Sequence, residues 1–414
     1  MNREAAQVAA PLVRSRRGAR AEPEAMTRSA RRVAFLAAVC LSVAALRADA
    51  ADEEPTTFWK GLQEKGIYER IWERLTLYEN EENSVVQDVA VIGRYHGQSW
   101  SVSAGQGSAA GWENRRIYLG AQALLFHHWT LHAQMKASGD LDPVFDGLYQ
   151  GFVKWDPNDA WSLSAGRMDF TYFGLERSVS STKIATFERG LVANQVLPRE
   201  VVGLMAEGRS GGFSYRAGLL SGNIERAFTD FSGGVGVAAG VSRDLPLLYE
   251  TGSLHLDYLF NDGDPANNAL EPYDHQLSLW HQGQSGALGV GAELAWAHGL
   301  EGHPAVFGVT VLPTYVLAKR VLRKGDALQA VMRLQYAASD GDHGLQLQER
   351  YEQEVVPDGF GDRYLAVYGG LNYLVFGDRL KLMAGLEHSD LRDAAHAGGE
   401  FAGWTALFGV RVFF

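Results

Sequence analysis

Arg177, Lys183 and Arg189 lie six residues apart in a segment, Asp169 to Arg199, that sets them among apolar residues such as Phe173, Leu175 and Phe187. Fixed positive charges between apolar anchors attract and steer anions, a task that needs neither nucleophile nor metal. Glu176 and Glu188 are sequence neighbours of two of these cations and are placed to offset them. Bond-breaking chemistry has less to build on. His127, His128, His132, His255, His275 and His281 show no spacing that couples any of them to a particular Ser. No H-E-x-x-H run occurs, and Asp262, Gly263 and Asp264 are too short for a calcium loop. No catalytic residue, metal site or cofactor is therefore expected.

About thirty residues is long for a connection without structure of its own and typical of a functional loop, so the elements on either side must hold it. From Val85 onward the chain alternates with period two in blocks of about ten residues, the length of a tilted membrane strand. Leu288, Val290, Ala292, Leu294 and Trp296 share one face, opposite Gly289, Gly291, Glu293 and Ala295. Blocks at Leu131, Leu254 and Leu328 repeat the device, and further strand centres fall at Val91, Leu119, Val153, Leu163, Leu204, Tyr215, Val237, Leu279, Val309, Val367, Leu382 and Phe408. These total sixteen, with short turns at Asp156 to Asp159, Gly283 to Gly286 and Gly377 to Asp378 alternating with longer polar stretches, among them Asn261 to Tyr273 and Ser339 to Gly361.

The expected fold is all-β, a transmembrane antiparallel barrel of about 16 strands over residues 85–414, with residues 169–199 folded inward. A soluble sandwich or propeller also alternates, but its strands are shorter, about five or six residues. A barrel of this size is too wide for its own side chains to fill, so its lumen carries water. Arg116, Lys136, Lys154 and Arg333 are the expected pore wall, together with His132, Arg216, Glu293 and Arg411 on other polar faces. Each serves equally well to solvate the lumen or pair with a neighbour. Arg177, Lys183 and Arg189 are the expected constriction, since an inward loop places its charges where the lumen is narrowest.

The first fifty residues read as targeting sequence, with Arg31 and Arg32 as the basic region, Val33 to Leu46 as the apolar core and Ala48, Asp49 and Ala50 as the cleavage site. Met26 is an alternative start, and Cys40, the one cysteine, lies inside the apolar core. Without residues 1–50 there remain 29 basic and 45 acidic residues, which leaves no basic stripe for nucleic acid. Residues 51–84 form an expected periplasmic extension. Within it Trp59, Leu62, Ile67, Ile71, Trp72 and Leu75 mark an amphipathic helix between Thr56 and Asn80.

Gly166, Arg167, Met168, then Phe173, Gly174, Leu175, Glu176, then Phe187, Glu188, Arg189, Gly190, and Arg199 through Gly203 resemble the phosphate-selective porin O and P family. Leu77, Tyr78, Gln87, Gly93 and Arg94 resemble its first-strand entry. The resemblance implies a sixteen-stranded homotrimeric porin in the outer membrane of a Gram-negative-type bacterium, conducting inorganic anions such as phosphate or small polar solutes past basic residues. It also implies contact with outer-membrane lipid and insertion by the barrel assembly machinery, whose signal the last strand resembles with Trp404, Phe408, Val410, Val412 and Phe414. A structural or adhesive barrel with no open lumen, and a barrel enzyme, are the alternatives from other classes.

Overall fold

The computed structural model describes residues 67–171, 173–223, 233–347 and 350–414. The targeting sequence and the start of the expected N-terminal helix, with Trp59 and Leu62, lie outside the described residues. What is described of that helix is α1 (Ile67–Glu73), followed by the short strand β1 (Thr76–Glu79). Sixteen strands then form a closed antiparallel ring. They are β2 (Val86–Ala104), β3 (Gly107–Leu125), β4 (Trp129–Ala137), β5 (Leu148–Asn158), β6 (Trp161–Asp169), β7 (Glu200–Ser210), β8 (Phe213–Leu220) and β9 (Gly236–Asp244). The ring continues with β10 (Thr251–Asn261), β11 (Tyr273–Ser285), β12 (Leu288–Gly299), β13 (Val306–Lys319) and β14 (Ala327–Ser339). A small hairpin, β15 (Leu345–Gln346) with β16 (Phe360–Gly361), interrupts the ring before β17 (Arg363–Asp378), β18 (Leu380–Arg392) and β19 (Phe401–Phe413).

Every one of the sixteen expected strand centres falls in a different ring strand. The reason is visible in the burial. On β12 and β14, Leu294, Trp296, Met332, Leu334 and Tyr336 are exposed on the outer wall, whereas Glu293, Arg333 and Gln335 are buried in the lumen. Aromatics gather in two outer bands. Trp129, Trp155, Trp161, Phe213 and Tyr215 lie near the short-turn rim, and Trp296, Phe307, Tyr336 and Trp404 near the long-loop rim. Such girdles mark the two membrane interfaces. The alternation of short turns and long loops is not strict: β2 and β3 run 19 residues each and join on the long-loop rim through two residues, and the connection from β12 to β13 on that rim is shorter than the one from β13 to β14 on the other.

Helix does not persist to Asn80, and the closure of the ring explains why. β19 pairs with β2 only down to Phe413 opposite Arg94, which leaves the lower part of β2 without a neighbour on that side. β1 fills the gap, with Thr76 opposite Ala90 and Glu79 opposite Asp88. Phe414 exchanges backbone hydrogen bonds with Gly93, and the Trp72 indole donates to the Phe413 carbonyl at 2.8 Å. An unpaired edge facing hydrocarbon costs several kcal/mol per orphaned group, so extended pairing prevails over helix at Thr76–Glu79.

The orientation of the two rims is directly testable. Epitopes inserted beside Asp262, Asp342 or Asp358 should be labelled on intact cells, and epitopes at Asn158 or Asp378 only after the outer membrane is permeabilised. The reverse pattern would invert the barrel.

Candidate pore constriction

The connection between β6 and β7, residues 170–199, lies inside the ring and packs apolar side chains against inward residues of the wall. Phe170, Phe173, Phe187, Leu191, Val192, Val196 and Leu197 are buried there, the last four on or beside the short helix α2 (Leu191–Gln195). The far wall makes room for them, since a Cβ at Gly308 of β13 would stand 2.4 Å from the Val192 side chain. Polar groups fix the turn that enters the lumen. Gly174 adopts φ +72, a left-handed conformation that favours glycine, and its N–H donates to Asp257 at 3.1 Å. The next amide, that of Leu175, donates to Glu293 at 3.1 Å.

Two parts of the loop then lock together. The Glu176 carboxylate takes Arg333 of β14 at 2.7 Å and the Gly190 N–H at 2.9 Å, while its backbone carbonyl takes the Arg189 guanidinium at 2.9 Å. Arg333 reaches onward to the Glu188 carbonyl at 2.8 Å and to Glu387 of β18 at 2.9 Å. Three more wall side chains donate to carbonyls of the loop: Lys381 to Ile184 at 2.8 Å, Asn372 to Ala185 at 2.8 Å, and Arg411 to Ser181 and Phe187. Arg333 and Arg411, each 1% exposed, thus anchor the loop instead of facing open water.

Two β-bulges shape the remaining space. On β3, Arg116 pairs with His96 and Asn114 with Gly97, so Arg115 is an extra residue and turns inward beside Arg116. Arg115 grips Glu188 of the loop at 2.8 Å, and Arg116 lies 3.8 Å from the same carboxylate. Burial alone would raise the Glu188 carboxyl, but the charges of Arg115 and Arg116 outweigh it and hold the group well below the usual carboxylate range. On β5, Tyr149 is the extra residue between the pairs of Leu148 and Gln150. Its hydroxyl donates to Asp169 at 2.6 Å, and the Arg94 guanidinium lies 5.0 Å from its ring centre and 5.2 Å from that of Tyr118.

Three cavities border this structure. The first, about 670 Å³, opens toward the long-loop rim and is lined by Arg115, Arg116, Lys136, Tyr149, Arg177, Arg199 and Arg350, with Glu113, Asp169 and Glu200 among its acids. A smaller one, about 170 Å³, adjoins it and shares Arg115, Arg116, Arg177, Arg189, Arg199 and Arg350, against which stand only two acids, Glu188 and Glu271. The third, about 850 Å³, lies toward the short-turn rim and is lined by His127, His128, Lys154, Asp156, Arg216 and His255 among others.

The expected constriction residues are therefore divided. Arg177 and Arg189 are brought together at the arginine-lined cavities, although their guanidinium Nε atoms donate to the carbonyls of Ala193 and Glu176. Burial lowers the Arg177 guanidinium to about 9. Lys183 is exposed on the other side of the loop, where a separate cavity is lined by Gly289, Gly291 and Thr314. Of the expected wall, Arg116 and Lys136 line the outer cavity, with Lys136 paired to Glu200 at 2.7 Å. Lys154 lines the opposite vestibule and pairs with Asp156 at 2.8 Å, and Arg333 is buried beneath the loop. His132 stacks on Phe152 with ring centres 4.7 Å apart, and Arg216 pairs with Asp257 at 2.7 Å. Period-two reading missed Arg115 and Tyr149, because a neighbour of an inward residue is assigned to the outside. The Arg115–Arg116 doublet was the one available sign. Arg350 belongs to a loop with no periodic signal.

Residues 92–271 match the family model described as phosphate-selective porin O and P. No curated protein matches the chain. Among solved structures the chain is similar to OprB of Pseudomonas putida, with a TM-score of 0.54 and 12% identity over 79% of this chain and 94% of that one. It is also similar to the anion-selective porin of Comamonas acidovorans, with a TM-score of 0.52 and 13% identity over 79% and 99% of the two chains. The outer-membrane channel DcaP of Acinetobacter baumannii gives a TM-score of 0.51 at 9% identity over 82% and 100%. At these identities the likeness is one of fold. The closed sixteen-stranded ring with an inward loop is the fold of these porins, and together with the porin family model matched over residues 92–271, a stretch that includes the whole inward loop, it defines an outer-membrane porin.

Removing the shared cation tests how the loop is held. Arg333→Met should leave Glu176 and Glu387 buried without their partner, at a cost of about 3–5 kcal/mol. Limited proteolysis of the folded barrel should then cut within 170–199, where the parent protein resists.

Proposed function

We propose that this porin passes small anions such as phosphate, selected at the cavity lined by Arg115, Arg116, Arg177, Arg189, Arg199 and Arg350. The observation that carries this reading is the bulge at Arg115, which places two adjacent guanidinium groups in the lumen with one carboxylate, Glu188, between them. Surrounding arginines give the cavity an excess of positive charge although the chain as a whole carries a formal charge of −11. In a confined, poorly screened lumen, local charge governs permeation more than net charge does. Arg177 and Arg189 contribute to that field from the loop, and Lys183 acts from its far side. The porin family model matched over residues 92–271 favours this reading over a barrel enzyme.

Reversal potentials in asymmetric salt provide the test. Replacing Arg115 and Arg116 together with Gln should shift selectivity toward cations, and replacing Arg177, Lys183 and Arg189 with Gln should shift it in the same direction. Arg392→Gln, at an exposed outer residue paired with Asp390, should change little, because screening acts within about 8 Å at physiological salt. Unchanged selectivity in both multiple variants would overturn the anion filter.

We further propose a homotrimer, assembled through the outer face of β2. Ser99, Ser101 and Ser103 pair across the ring seam with Phe408, Ala406 and Trp404, so they share the outer wall with those lipid-compatible side chains. Small side chains between aromatic neighbours leave a shallow strip on this wall, on which a second copy packs more closely than acyl chains do. Lipid covers the rest of the outer wall, and the barrel assembly machinery inserts it. The parent protein should migrate as a heat-dissociable trimer in mild detergent. Changing Ser99, Ser101 and Ser103 to Leu should yield a folded monomer, and a parent protein that is monomeric in every mild detergent would count against the assembly.

A further inference from the structure

The connection between β14 and β17, described over residues 340–347 and 350–362, also turns into the barrel. Leu345, Leu347, Tyr351 and Val356 join the same apolar cluster as the first loop, and a few polar contacts tie the connection to the wall. Arg350 pairs with Glu113 of β3 at 2.7 Å. The Tyr351 hydroxyl meets Gln98 of β2 and the Glu113 carboxylate, and its ring lies 5.3 Å from that of Trp100. Glu352, 7% exposed, accepts a hydrogen bond from Thr405 of β19 at 2.8 Å. Gln346, Leu347 and Arg350 line the small arginine cavity together with Arg115 and Arg116. The loop therefore forms part of the roof over that cavity.

Glu352 is the weak point of this roof. Thr405 faces it from β19, Glu387 from β18 and Tyr364 from β17, and Arg333 of β14 acts on Tyr364. Arg333 is already divided between Glu176 and Glu387, and among the described residues no cation pairs with Glu352. An ionised Glu352 would thus be a buried charge beside a second carboxylate, supported by the Thr405 hydroxyl and the backbone amides of Tyr351 and Glu352 but by no cation among the described residues.

We propose that residues 350–362 are a proton-sensitive lid over the arginine-lined cavity, latched while Glu352 is protonated and released when it ionises. Burial, and then the charge of Glu387, push the Glu352 carboxyl up to about 7, which puts the switch near neutral pH. The sign follows from linkage. A carboxyl whose acidity is weakened in the latched state favours that state at low pH, and the advantage disappears as pH rises through about 7. Between the ordinary carboxyl range and about 7 the ratio of released to latched lid rises about tenfold per pH unit, and above that it levels off because the group is ionised in both states. This inference rests on the reading of the cavity as the anion path.

Hydrogen exchange of the peptide covering 350–362, corrected for intrinsic rates, should be measured at pH 5.5 and 8.5 on the full barrel, alongside single-channel conductance at both values. Protection should fall and mean current rise at the higher pH. Glu352→Gln should keep the lid protected at both values and abolish the pH response. Thr405→Val, which removes the hydroxyl that supports the carboxylate, should move release to higher pH and provides a second variant should the first fail to fold. Equal protection of the parent at both values, or an undiminished pH response in Glu352→Gln, would overturn the lid. If protection changes as expected while current stays constant, the lid stands and the anion path through this cavity is overturned.

Discussion

A buried ion pair between Arg333 and Glu176 underlies most of what this barrel presents to its lumen. One guanidinium joins three parts of the molecule: the entering turn of the loop through Glu176, the exit strand of the loop through the Glu188 carbonyl, and the neighbouring wall through Glu387. Pairing in so dry a place is not a large source of net stability, since desolvation offsets much of the attraction. Its effect is specificity. With Arg333 in place there is one arrangement in which every carboxylate near it is satisfied, and that arrangement puts Glu188 within reach of Arg115.

The barrel inverts the usual location of an apolar core. Its outer wall presents Leu, Val and aromatic side chains to lipid, and the ring itself is held by backbone pairing rather than by side chains meeting at a centre. The apolar cluster inside the ring joins residues 170–199 to inward side chains of the wall and of the connection between β14 and β17. A loop folded on apolar anchors can be rigid without filling the lumen with wall side chains, and rigidity is what a selective constriction requires. The Phe-Gly-Leu-Glu and Glu-Arg-Gly motifs acquire a physical meaning here. Phe173 and Phe187 anchor, Gly174 turns, and Glu176 with Arg189 and Gly190 closes the loop on itself.

Strands were legible from the sequence because lipid on one side and water on the other impose period two, and a ten-residue alternation such as Leu288 to Trp296 leaves little room for another fold. The inward loop was legible as a break in that period. The assignment of wall charges was legible only where the period was intact. Arg116, Lys136 and Lys154 face the lumen as alternation requires, but alternation carries no information on whether a cation faces solvent or, like Arg333 and Arg411, is covered by a loop from far away in the chain. Strand β1 was missed for a related reason: its conformation answers an unpaired edge on β2, which no local pattern in Thr76–Glu79 encodes.

The bulge at Arg115 also changes how β3 must be read along its length. Below it the even-numbered residues Arg116 and Tyr118 face water and the odd-numbered Leu119 faces lipid; above it the parity is exchanged, with Glu113 inside and Trp112 outside. The strand carries a shift of phase worth one residue. Deleting Arg115 would therefore restore an unbroken alternation, with Glu113 still inside and Trp112 still outside and every pairing to β2 kept. The strand can lose this one residue without inverting, whereas losing a residue from a regular stretch of the wall would turn everything beyond it inside out.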